Sequence, residues 1–386
     1  MKKLTVLILV LFVLILTLNG EIKAQIRVGD IPQDVDDIFR ENIQDIEVES
    51  WIEGLNVPWD LVFLPGSERA LVTERSGKIR LIENGVLQSE PYVEFDLSSV
   101  GEGGLMGLTY HHDFPEEPYI YIMYTYSDVD GDVYNRVSRL EDKGREGVNE
   151  EVIIEDIPGG RYHDGGRIAF GPDDMLFITT GDSGHRNLAQ DKDSLAGKIL
   201  RLTPEGEIPE DNPFAESPVY SLGHRNPQGL AWHPETGDLF ISDHGPSGED
   251  GLHGKDRIKV IEPGKNYGWP EKVGYFEEGR FSNPLIMWDS AVPPSGITFY
   301  HGDLFVATLR SEALIRIVLE SDGDYDYKVN RIERWFASED YQGKYGRIRT
   351  AVVGPDDYLY ILTSNRDGRG NPRSGDDRVL RFKLKK

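Results

Sequence analysis

Short runs in which apolar and polar residues alternate recur along most of the chain, separated by turns rich in glycine and proline. A strand rich in β-branched and aromatic residues is followed by a loop and a second alternating strand, as in RALVTERSGKIRLIENG and in YLYILTSNRDG with RVLRFKLKK. Alternation with a period of two indicates strands with one buried face. This unit occurs six times, with leading strands about 50 to 65 residues apart, a spacing typical of repeated strand-rich modules.

The repeat predicts an all-β fold, a six-bladed β-propeller formed by residues 46–386. Radial repetition accommodates this length in one large domain. The segment IEVESWIEG, residues 46–54, is predicted to add a strand to the last unit and close the ring, because an open ring would leave a free sheet edge. A pair of β-sandwiches is the competing architecture, which the similarity of the six units disfavours. In a propeller, loops leading into the innermost strands gather at one face, where a site is expected.

Residues 1–24 are predicted to be a signal peptide or an N-terminal anchor. Lys2 and Lys3 precede an apolar run from Leu4 to Leu16 that is interrupted only by Thr5, which is the layout of a secretory signal and is short for a bilayer span of about 20 residues. The possible cleavage sites lack a small residue three places earlier, so an uncleaved anchor is the alternative. We expect an exported protein, periplasmic, extracellular or at the cell surface, that meets a membrane only through such an anchor. The acidic residues 25–45 are predicted to be a linker.

Charge and cysteine content exclude several classes of function. The chain has 42 Lys and Arg against 67 Asp and Glu, a formal net charge of −25. Such a field repels phosphate backbones, so no nucleic-acid partner is expected. The absence of cysteine excludes disulfides, thiolate metal sites and a cysteine nucleophile. Because G-x-S-x-G, H-E-x-x-H and P-loop motifs are also missing, other polar residues have to supply any chemistry.

Two loops directly before predicted strands carry candidate catalytic or binding residues. Of nine histidines, His163, in RYHDGGRIAF, lies just ahead of two consecutive glycines in a loop before a strand. An imidazole there suits a general base, and a turn-forming or core histidine is the alternative. The loop SLGHRNPQGLAWHP contains Arg225, Asn226 and Gln228. We interpret it as a ligand-facing loop, with an Asn-Pro turn among solvated neighbours as the alternative.

A pair of arginines predicts an anion site. In KYGRIRTAVV, Arg347 and Arg349 lie two residues apart and therefore point to the same face of a strand. Two neighbouring guanidinium groups repel each other unless an anion or several carboxylates lie between them. Arg310 comes from another unit and is expected to join them if the strand lines the channel. Ion pairs with acidic surface residues are the alternative interpretation.

Glycine-rich stretches suggest close approach of a flat or cationic ligand. Glu102 stands among glycines in SVGEGGLMGL, where the spacing does not fit a dinucleotide fingerprint. Gly245 and Pro246, at the end of a predicted strand, offer carbonyl groups that could bind a hard cation such as Ca²⁺. The acidic turns at 128–132 and 322–326 lack the bidentate glutamate of a full calcium loop, so we interpret both as hairpin tips.

Taken in order, several motifs are similar to those of the soluble PQQ-dependent aldose sugar dehydrogenases, relatives of soluble glucose dehydrogenase. They are GLNVPWDLVFLPG, GEGGLMGL, HDGGRIAFGPD, TTGDSG, AGKILRLTPEGEIP, GHRNPQGLAWHPETG, EPGKNYGWP and PPSGITFY. The resemblance runs from about residue 50 to the C-terminus and is specific to a family of six-bladed propellers. It implies PQQ and Ca²⁺ as cofactors, hydride transfer from an aldose to PQQ, a lactone product and an electron acceptor outside the chain.

The resemblance also implies roles for individual residues. His163 matches the catalytic base, which takes the proton of the anomeric hydroxyl, and Arg225 matches a residue near the substrate. Gly245 and Pro246 match the carbonyls that hold the Ca²⁺ ion. The implied cofactor-binding residues are Glu102, Arg225, Asn226, Gln228, Arg310, Arg347 and Arg349.

Four positions depart from the pattern of soluble glucose dehydrogenase. Tyr162 and Glu102 replace an aspartate and a glutamine that contact sugar there, which favours a broader aldose range over glucose selectivity. Arg257 replaces a carboxylate of the family's second, structural Ca²⁺ site, so that site is not predicted here. Thr350 stands where relatives often have aspartate.

Two other classes of function stay open at this stage. One is a Ca²⁺-dependent propeller lactonase or other hydrolase, for which acidic and asparagine ligands in the channel would be expected, whereas the channel candidates here are basic. The other is a sugar-binding propeller without catalysis, which would have little reason to keep His163 together with the predicted cofactor-binding residues.

Overall fold

The computed structural model describes residues 25–97, 100–340 and 342–385. Six antiparallel sheets follow one another along the chain as the blades of a six-bladed β-propeller, which confirms the predicted all-β fold. This part of the chain contains no α-helix, only two 3-10 helices, Arg186–Gln190 and Glu249–Gly251. None of its helices is long and apolar enough to cross a membrane. The predicted signal or anchor, residues 1–24, lies outside the described residues.

Each blade has four antiparallel strands, and three short strands precede the first blade. The preceding strands are β1 (Arg27–Val28), β2 (Asp37–Arg40) and β3 (Glu49–Ile52). Blade 1 comprises β4 (Pro58–Phe63), β5 (Arg69–Glu74), β6 (Lys78–Glu83) and β7 (Val86–Glu94). Blade 2 comprises β8 (Leu105–Tyr110), β9 (Tyr119–Ser127), β10 (Val133–Asp142) and β11 (Gly147–Pro158). Blade 3 comprises β12 (Ile168–Phe170), β13 (Leu176–Thr179), β14 (Lys198–Leu202) and β15 (Val219–Leu222).

The second half of the chain repeats this arrangement. Blade 4 comprises β16 (Pro227–Trp232), β17 (Leu239–Asp243) and β18 (Asp256–Ile261), then, after the separate strand β19 (Lys272–Val273), its outer strand β20 (Ile286–Trp288). Blade 5 comprises β21 (Pro294–Tyr300), β22 (Asp303–Thr308), β23 (Leu314–Gly323) and β24 (Asp326–Trp335). Blade 6 contains β25 (Ile348–Val353), β26 (Leu359–Thr363) and β27 (Val379–Phe382). The acidic turns at 128–132 and 322–326 connect β9 to β10 and β23 to β24, so both are hairpin tips.

The N-terminal strand β3 completes blade 6 and closes the ring, as predicted. It pairs antiparallel with β27, with Ile52 opposite Val379 and Ser50 opposite Leu380. Trp51 packs edge-on against Tyr360 of the same blade, with ring centroids 4.9 Å apart. The pairing removes the free edge that β27 would otherwise present.

The segment expected to be a linker, residues 25–45, carries two strands that pair with the propeller. Strand β1 runs parallel to β19, and β2 runs parallel to β24 as a fifth strand of blade 5. Gln33, between them, donates a hydrogen bond to the Met287 carbonyl (3.0 Å) and accepts one from the Met287 N–H (3.1 Å). These contacts attach the segment to blades 4 and 5.

Apolar residues on both faces of the sheets form the core between neighbouring blades. Phe240 of blade 4 and Phe299 of blade 5, for example, pack in a T-shape with centroids 5.2 Å apart. Neighbouring blades also contact each other through their first strands, with β16 reaching β13 of blade 3. Because adjacent strands are antiparallel, the loop entering the first strand of a blade lies beside the loop leaving its second strand. Both loops therefore reach the same face of the propeller.

Candidate active site

A cavity of about 390 Å³ lies where the loops of all six blades converge. Of the ten residues predicted to act in catalysis, cofactor binding or metal binding, nine line it: Glu102, His163, Arg225, Asn226, Gln228, Pro246, Arg310, Arg347 and Arg349. Gly245 precedes Pro246 and is buried beside the cavity. The structure thus brings the predicted residues together at one place, and their individual roles stay predictions.

The His163 ring is held by a buried carboxylate. Its Nδ1 lies 2.7 Å from Asp182 Oδ1, and Asp182 is 1% exposed. The other carboxylate oxygen of Asp182 accepts a hydrogen bond from the Trp269 indole N–H (2.7 Å). A carboxylate only accepts hydrogen bonds when ionised, so it selects the imidazole tautomer that carries its proton on Nδ1. Nε2 then keeps its lone pair, which is the state a general base requires.

The backbone around His163 is constrained by close packing. His163 has φ of 65°, in the left-handed region that non-glycine residues occupy rarely. Its carbonyl accepts a hydrogen bond from the Ser183 N–H (3.1 Å), and a Cβ on Gly181 would come within 1.8 Å of that carbonyl. Glycine at 181 is therefore required for the strand end to approach the His163 loop, and the strain at His163 is compensated by these contacts.

Glu102 connects the His163 loop to blade 6. Its Oε1 accepts a hydrogen bond from Arg369 Nη1 (2.6 Å), and its Oε2 lies 3.4 Å from the His163 backbone N–H. Burial acts to raise the pKa of Glu102, but the positive charge of Arg369 and the hydrogen bond that its guanidinium donates help to lower that pKa below its usual value. Glu102 is therefore an ionised carboxylate at neutral pH, beside the candidate base.

An ion pair and hydrogen bonds fix the side chains of the predicted ligand-facing loop before β16. Arg225 forms an ion pair with Glu249, with Nη2 2.7 Å from Oε1. Asn226 accepts a hydrogen bond from the Gly165 N–H through Oδ1 (3.0 Å), which ties the loop to blade 3. Gln228 accepts a hydrogen bond from Arg349 Nη1 (2.9 Å), which ties it to blade 6. The three side chains are buried and directed, Arg225 by a partner within blade 4 and Asn226 and Gln228 by partners on blades 3 and 6.

The arginine pair of blade 6 lies at the cavity as predicted. Arg347 is balanced by Asp367, with Nη2 2.7 Å from Oδ2. Arg349 has neutral hydrogen-bond acceptors only, Gln228 Oε1 and Ser295 Oγ (3.3 Å), and its buried Nε has no partner in the described residues. Burial lowers the pKa of Arg349 to about 9. A buried guanidinium without a carboxylate partner favours an anion in the cavity.

The carbonyl groups of Gly245 and Pro246 suit a hard cation. Within residues 25–97, 100–340 and 342–385, neither carbonyl accepts a hydrogen bond. The Gly245 N–H donates to Asp256 Oδ1 (2.8 Å), and a Cβ on Gly245 would approach the Gly254 carbonyl oxygen to 2.0 Å. The loop is therefore fixed in place, and carbonyl oxygens without a hydrogen-bond donor are of the type that Ca²⁺ accepts as ligands.

The structure adds cavity residues that the sequence reasoning missed. They are Arg75, His244, Asp367 and Arg369, which line the cavity, and Asp182, which supports His163. Burial lowers the pKa of His244 to about 3, and its ring bridges the Pro294 carbonyl (2.9 Å) and Asn226 Nδ2 (3.4 Å) as a neutral imidazole. A common signal was available, because each of these residues follows the second strand of its blade within a few positions. That place in the repeat lines the cavity in blades 1, 4 and 6, and in blade 3 it puts Asp182 beside His163.

Comparison with known proteins agrees with this architecture. The profile of the glucose/sorbosone dehydrogenase family matches residues 55–373. The chain is 33% identical to an aldose sugar dehydrogenase of Escherichia coli over 355 residues, which cover 84% of this chain and 91% of that protein. Among solved structures, the chain is similar to an oxidoreductase of Thermus thermophilus described as a glucose dehydrogenase, with 50% sequence identity and a TM-score of 0.81. The match covers 87% of this chain and 99% of the Thermus chain. The PQQ-bound aldose sugar dehydrogenase of Streptomyces coelicolor is 38% identical, with a TM-score of 0.77. That match covers 88% of this chain and 99% of the Streptomyces chain.

Proposed function

The chain belongs to the glucose/sorbosone dehydrogenase family, and on this premise we propose that it is a PQQ- and Ca²⁺-dependent dehydrogenase that oxidises a broad range of aldoses to lactones. As a member of this family it is an oxidoreductase. The observation that carries the proposal is the His163 ring, fixed by Asp182 with Nε2 free, in a cavity that also holds a buried arginine without an anionic partner.

The cavity residues fit PQQ and Ca²⁺. PQQ carries three carboxylates, which would neutralise Arg349 and the neighbouring Arg347 and Arg310. The carbonyls of Gly245 and Pro246 would hold the Ca²⁺ ion, and Asn226 and Gln228 offer hydrogen bonds to a polar ring system. When bound, PQQ supplies the two-electron acceptor that receives the hydride of the sugar, and Ca²⁺ increases its electrophilicity.

The chain itself supplies the proton chemistry. His163 Nε2 would accept the proton of the anomeric hydroxyl as the C1 hydride leaves, so that the sugar becomes a lactone after loss of one proton and one hydride. Asp182 would stabilise the imidazolium formed in this step, because its carboxylate lies 2.7 Å from Nδ1. Arg225, rigidly paired with Glu249, would orient the substrate hydroxyls near this base.

The broad substrate range and the electron acceptor belong to the same proposal. Glu102 and Tyr162 replace the residues with which soluble glucose dehydrogenase contacts sugar, so a narrow preference for glucose is not expected. Electrons would pass on to an acceptor such as a quinone, a cytochrome or an artificial dye.

We also infer export on the basis of residues 1–24. Cell fractionation tests this inference, and an enzyme found only in the cytoplasm would contradict it.

Reconstitution of the purified apoprotein tests the activity. PQQ and Ca²⁺ are added, PQQ binding is followed by calorimetry, and dye reduction is measured with a panel of neutral aldoses. His163→Ala should retain PQQ binding and lose turnover by about 10²-fold or more, as expected for a missing general base. His301→Ala, which alters an exposed histidine in the turn between β21 and β22 that is bonded to Asp357 and does not line the cavity, is the matched control.

Three outcomes separate the candidate functions. Dye reduction that depends on PQQ and on His163 supports the dehydrogenase. Absence of both PQQ binding and turnover would contradict it, and lactone hydrolysis with Ca²⁺ alone would favour the lactonase. Sugar binding without turnover in the presence of PQQ would favour a non-catalytic sugar-binding propeller.

A further inference from the structure

The lining of the cavity holds more arginines than carboxylates, although the molecule as a whole is acidic. Six arginines line it against four carboxylates, in a chain whose formal net charge is −25. Exposed charges are screened beyond about 8 to 10 Å at physiological salt. The electrostatic energy of a ligand inside the cavity therefore depends mainly on the local arginines and hardly on the distant acidic surface.

Most of these arginines have an assigned partner. Three form ion pairs, namely Arg225 with Glu249, Arg347 with Asp367 and Arg369 with Glu102. Arg349 and Arg310, together with Arg347, are the groups expected to meet the carboxylates of PQQ. The remaining arginine is Arg75, which forms no ion pair in the described part of the chain and is not among the residues predicted to bind the cofactor.

Arg75 lies close to Glu102 and to charged groups of blade 6. Its Nη2 is 3.4 Å from the Asp367 carbonyl oxygen, and the charges that act on it are those of Asp367, Glu102, Arg369 and Arg347. Glu102 in turn contacts the backbone of His163, the candidate base. Burial lowers the pKa of Arg75, which means that its charge is incompletely solvated and would gain from an anionic partner.

Tyr162 forms an exposed rim next to the same groups. Tyr162 is 42% exposed to solvent, and its ring centroid is 6.4 Å from that of His163. The guanidinium carbons of Arg161 and Arg369 lie 5.6 and 5.9 Å from the ring centroid. An aromatic surface flanked by two cations, beside the base, suits a pyranose ring that carries a negative charge.

The geometry points to a substrate class: the enzyme selects aldoses that carry an anionic group, a carboxylate or a phosphate, through Arg75 and Arg369 at the mouth of the cavity beside Tyr162. This inference rests on the proposed aldose dehydrogenase function. The reaction at C1 is the same as for a neutral aldose, and the anionic group remains unchanged in the lactone product.

Matched substrate pairs test the inference. D-Glucuronate and D-galacturonate differ from D-glucose and D-galactose by a carboxylate at C6, and D-glucose 6-phosphate supplies a phosphate in the same position. With the reconstituted holoenzyme, kcat/KM should be higher for the anionic member of at least one such pair. The KM of that substrate should rise with NaCl concentration, whereas the KM of the neutral partner should change little.

Two substitutions should shift the selectivity in opposite directions. Arg75→Gln keeps hydrogen-bonding capacity and removes the charge, so the kcat/KM ratio of glucuronate to glucose should fall by roughly 10- to 100-fold, the range expected for a charge-assisted hydrogen bond. Glu102→Gln removes the carboxylate that neutralises Arg369, so the same ratio should rise. Arg280→Gln, an exposed arginine paired with Glu271 outside the cavity, makes the same change in net charge and should leave the ratio unaltered.

The outcomes distinguish failure of the proposed dehydrogenase function from failure of the inference on substrate class. If no aldose is oxidised, neutral or anionic, the proposed function fails. If neutral aldoses are oxidised but the ratio is the same in wild type, Arg75→Gln and Glu102→Gln, only the inference on substrate class is overturned. A response with glucuronate alone assigns the site to carboxylates, and a response with glucose 6-phosphate alone assigns it to phosphates. If Arg75→Gln instead weakens PQQ binding in calorimetry, Arg75 serves the cofactor and the inference is wrong.

Discussion

Asp182 controls the proton position on His163, and this control can be tested separately from the base itself. In Asp182→Asn the amide can donate to Nδ1, which favours the tautomer with its proton on Nε2 and removes the lone pair needed for catalysis. We expect kcat to fall by about 10²-fold or more, with little change in PQQ affinity. Steady-state kinetics and calorimetry measure the two effects. Asp182→Glu, which keeps the charge, should recover part of the rate, and equal loss in both variants would argue for a merely structural role.

Asp164, the neighbour of His163, predicts a pH dependence of stability. It is 2% exposed, one carboxylate oxygen accepts hydrogen bonds from Asn135 and from the Gly160 N–H, and the other has no partner in the described residues. Burial raises its pKa from 3.8 to about 6. The folded state therefore holds this proton more tightly than the unfolded state, and the stabilisation present below pH 4 is lost as the pH rises to about 6.

Asp164→Asn removes this titration. Relative to wild type, the free energy of unfolding of the variant should increase between pH 4 and pH 6 by up to about 3 kcal/mol and then stay level. Urea denaturation at a series of pH values measures the difference, with the exposed hairpin residue change Asp324→Asn as control. A difference that is constant from pH 4 to pH 7 would mean that Asp164 is not a titrating group in this range.

At the scale of elements, strand β3 should matter more than the two strands before it. Removal of residues up to 44 deletes β1 and β2 and leaves every blade with four strands, so a folded protein with a lower Tm is expected. Removal up to residue 55 also deletes β3, exposes the edge of β27, and loses the buried Ile52 and Leu55, each worth roughly 1.5 to 3 kcal/mol. This variant should self-associate. Size-exclusion chromatography and thermal unfolding compare the two, and identical behaviour would contradict a closing role for β3.

The elements differ in how well the sequence predicts them, for a physical reason. The blade strands repeat runs of β-branched and aromatic residues between turns rich in glycine and proline, and β3 is recognisable because a ring needs a closing strand. Strands β1 and β2 have two and four residues without such a pattern. They form because β19 and β24 offer free edges, a tertiary effect that local propensity does not contain.

At the scale of the whole molecule, some residues of the candidate site could be predicted from the sequence and others could not. His163 and the loop from Arg225 to Gln228 precede strands and carry unusual polar groups, so their place at the cavity could be predicted. The partner of His163 could not, because Asp182 lies 19 positions away in the loop after β13 and is held there by Trp269 of blade 4. Likewise, only the closed ring brings Arg75 of blade 1 next to Asp367 of blade 6.

Because the cavity is lined by all six blades, its ligands should stabilise the ring as a unit. A ligand that binds only the folded state adds about 2.7 kcal/mol at a hundredfold excess over its Kd, which corresponds to a rise in Tm of about 3 to 4 °C for a chain of this size. We expect PQQ with Ca²⁺ to produce such a rise and EGTA to reverse it, because loss of the ion at the Gly245 and Pro246 carbonyls weakens the hold on PQQ. Arg349→Gln should reduce the rise, since its buried guanidinium would then no longer bind a carboxylate. Scanning calorimetry measures these shifts, and a Tm that is insensitive to PQQ and Ca²⁺ together would show that neither binds between the blades.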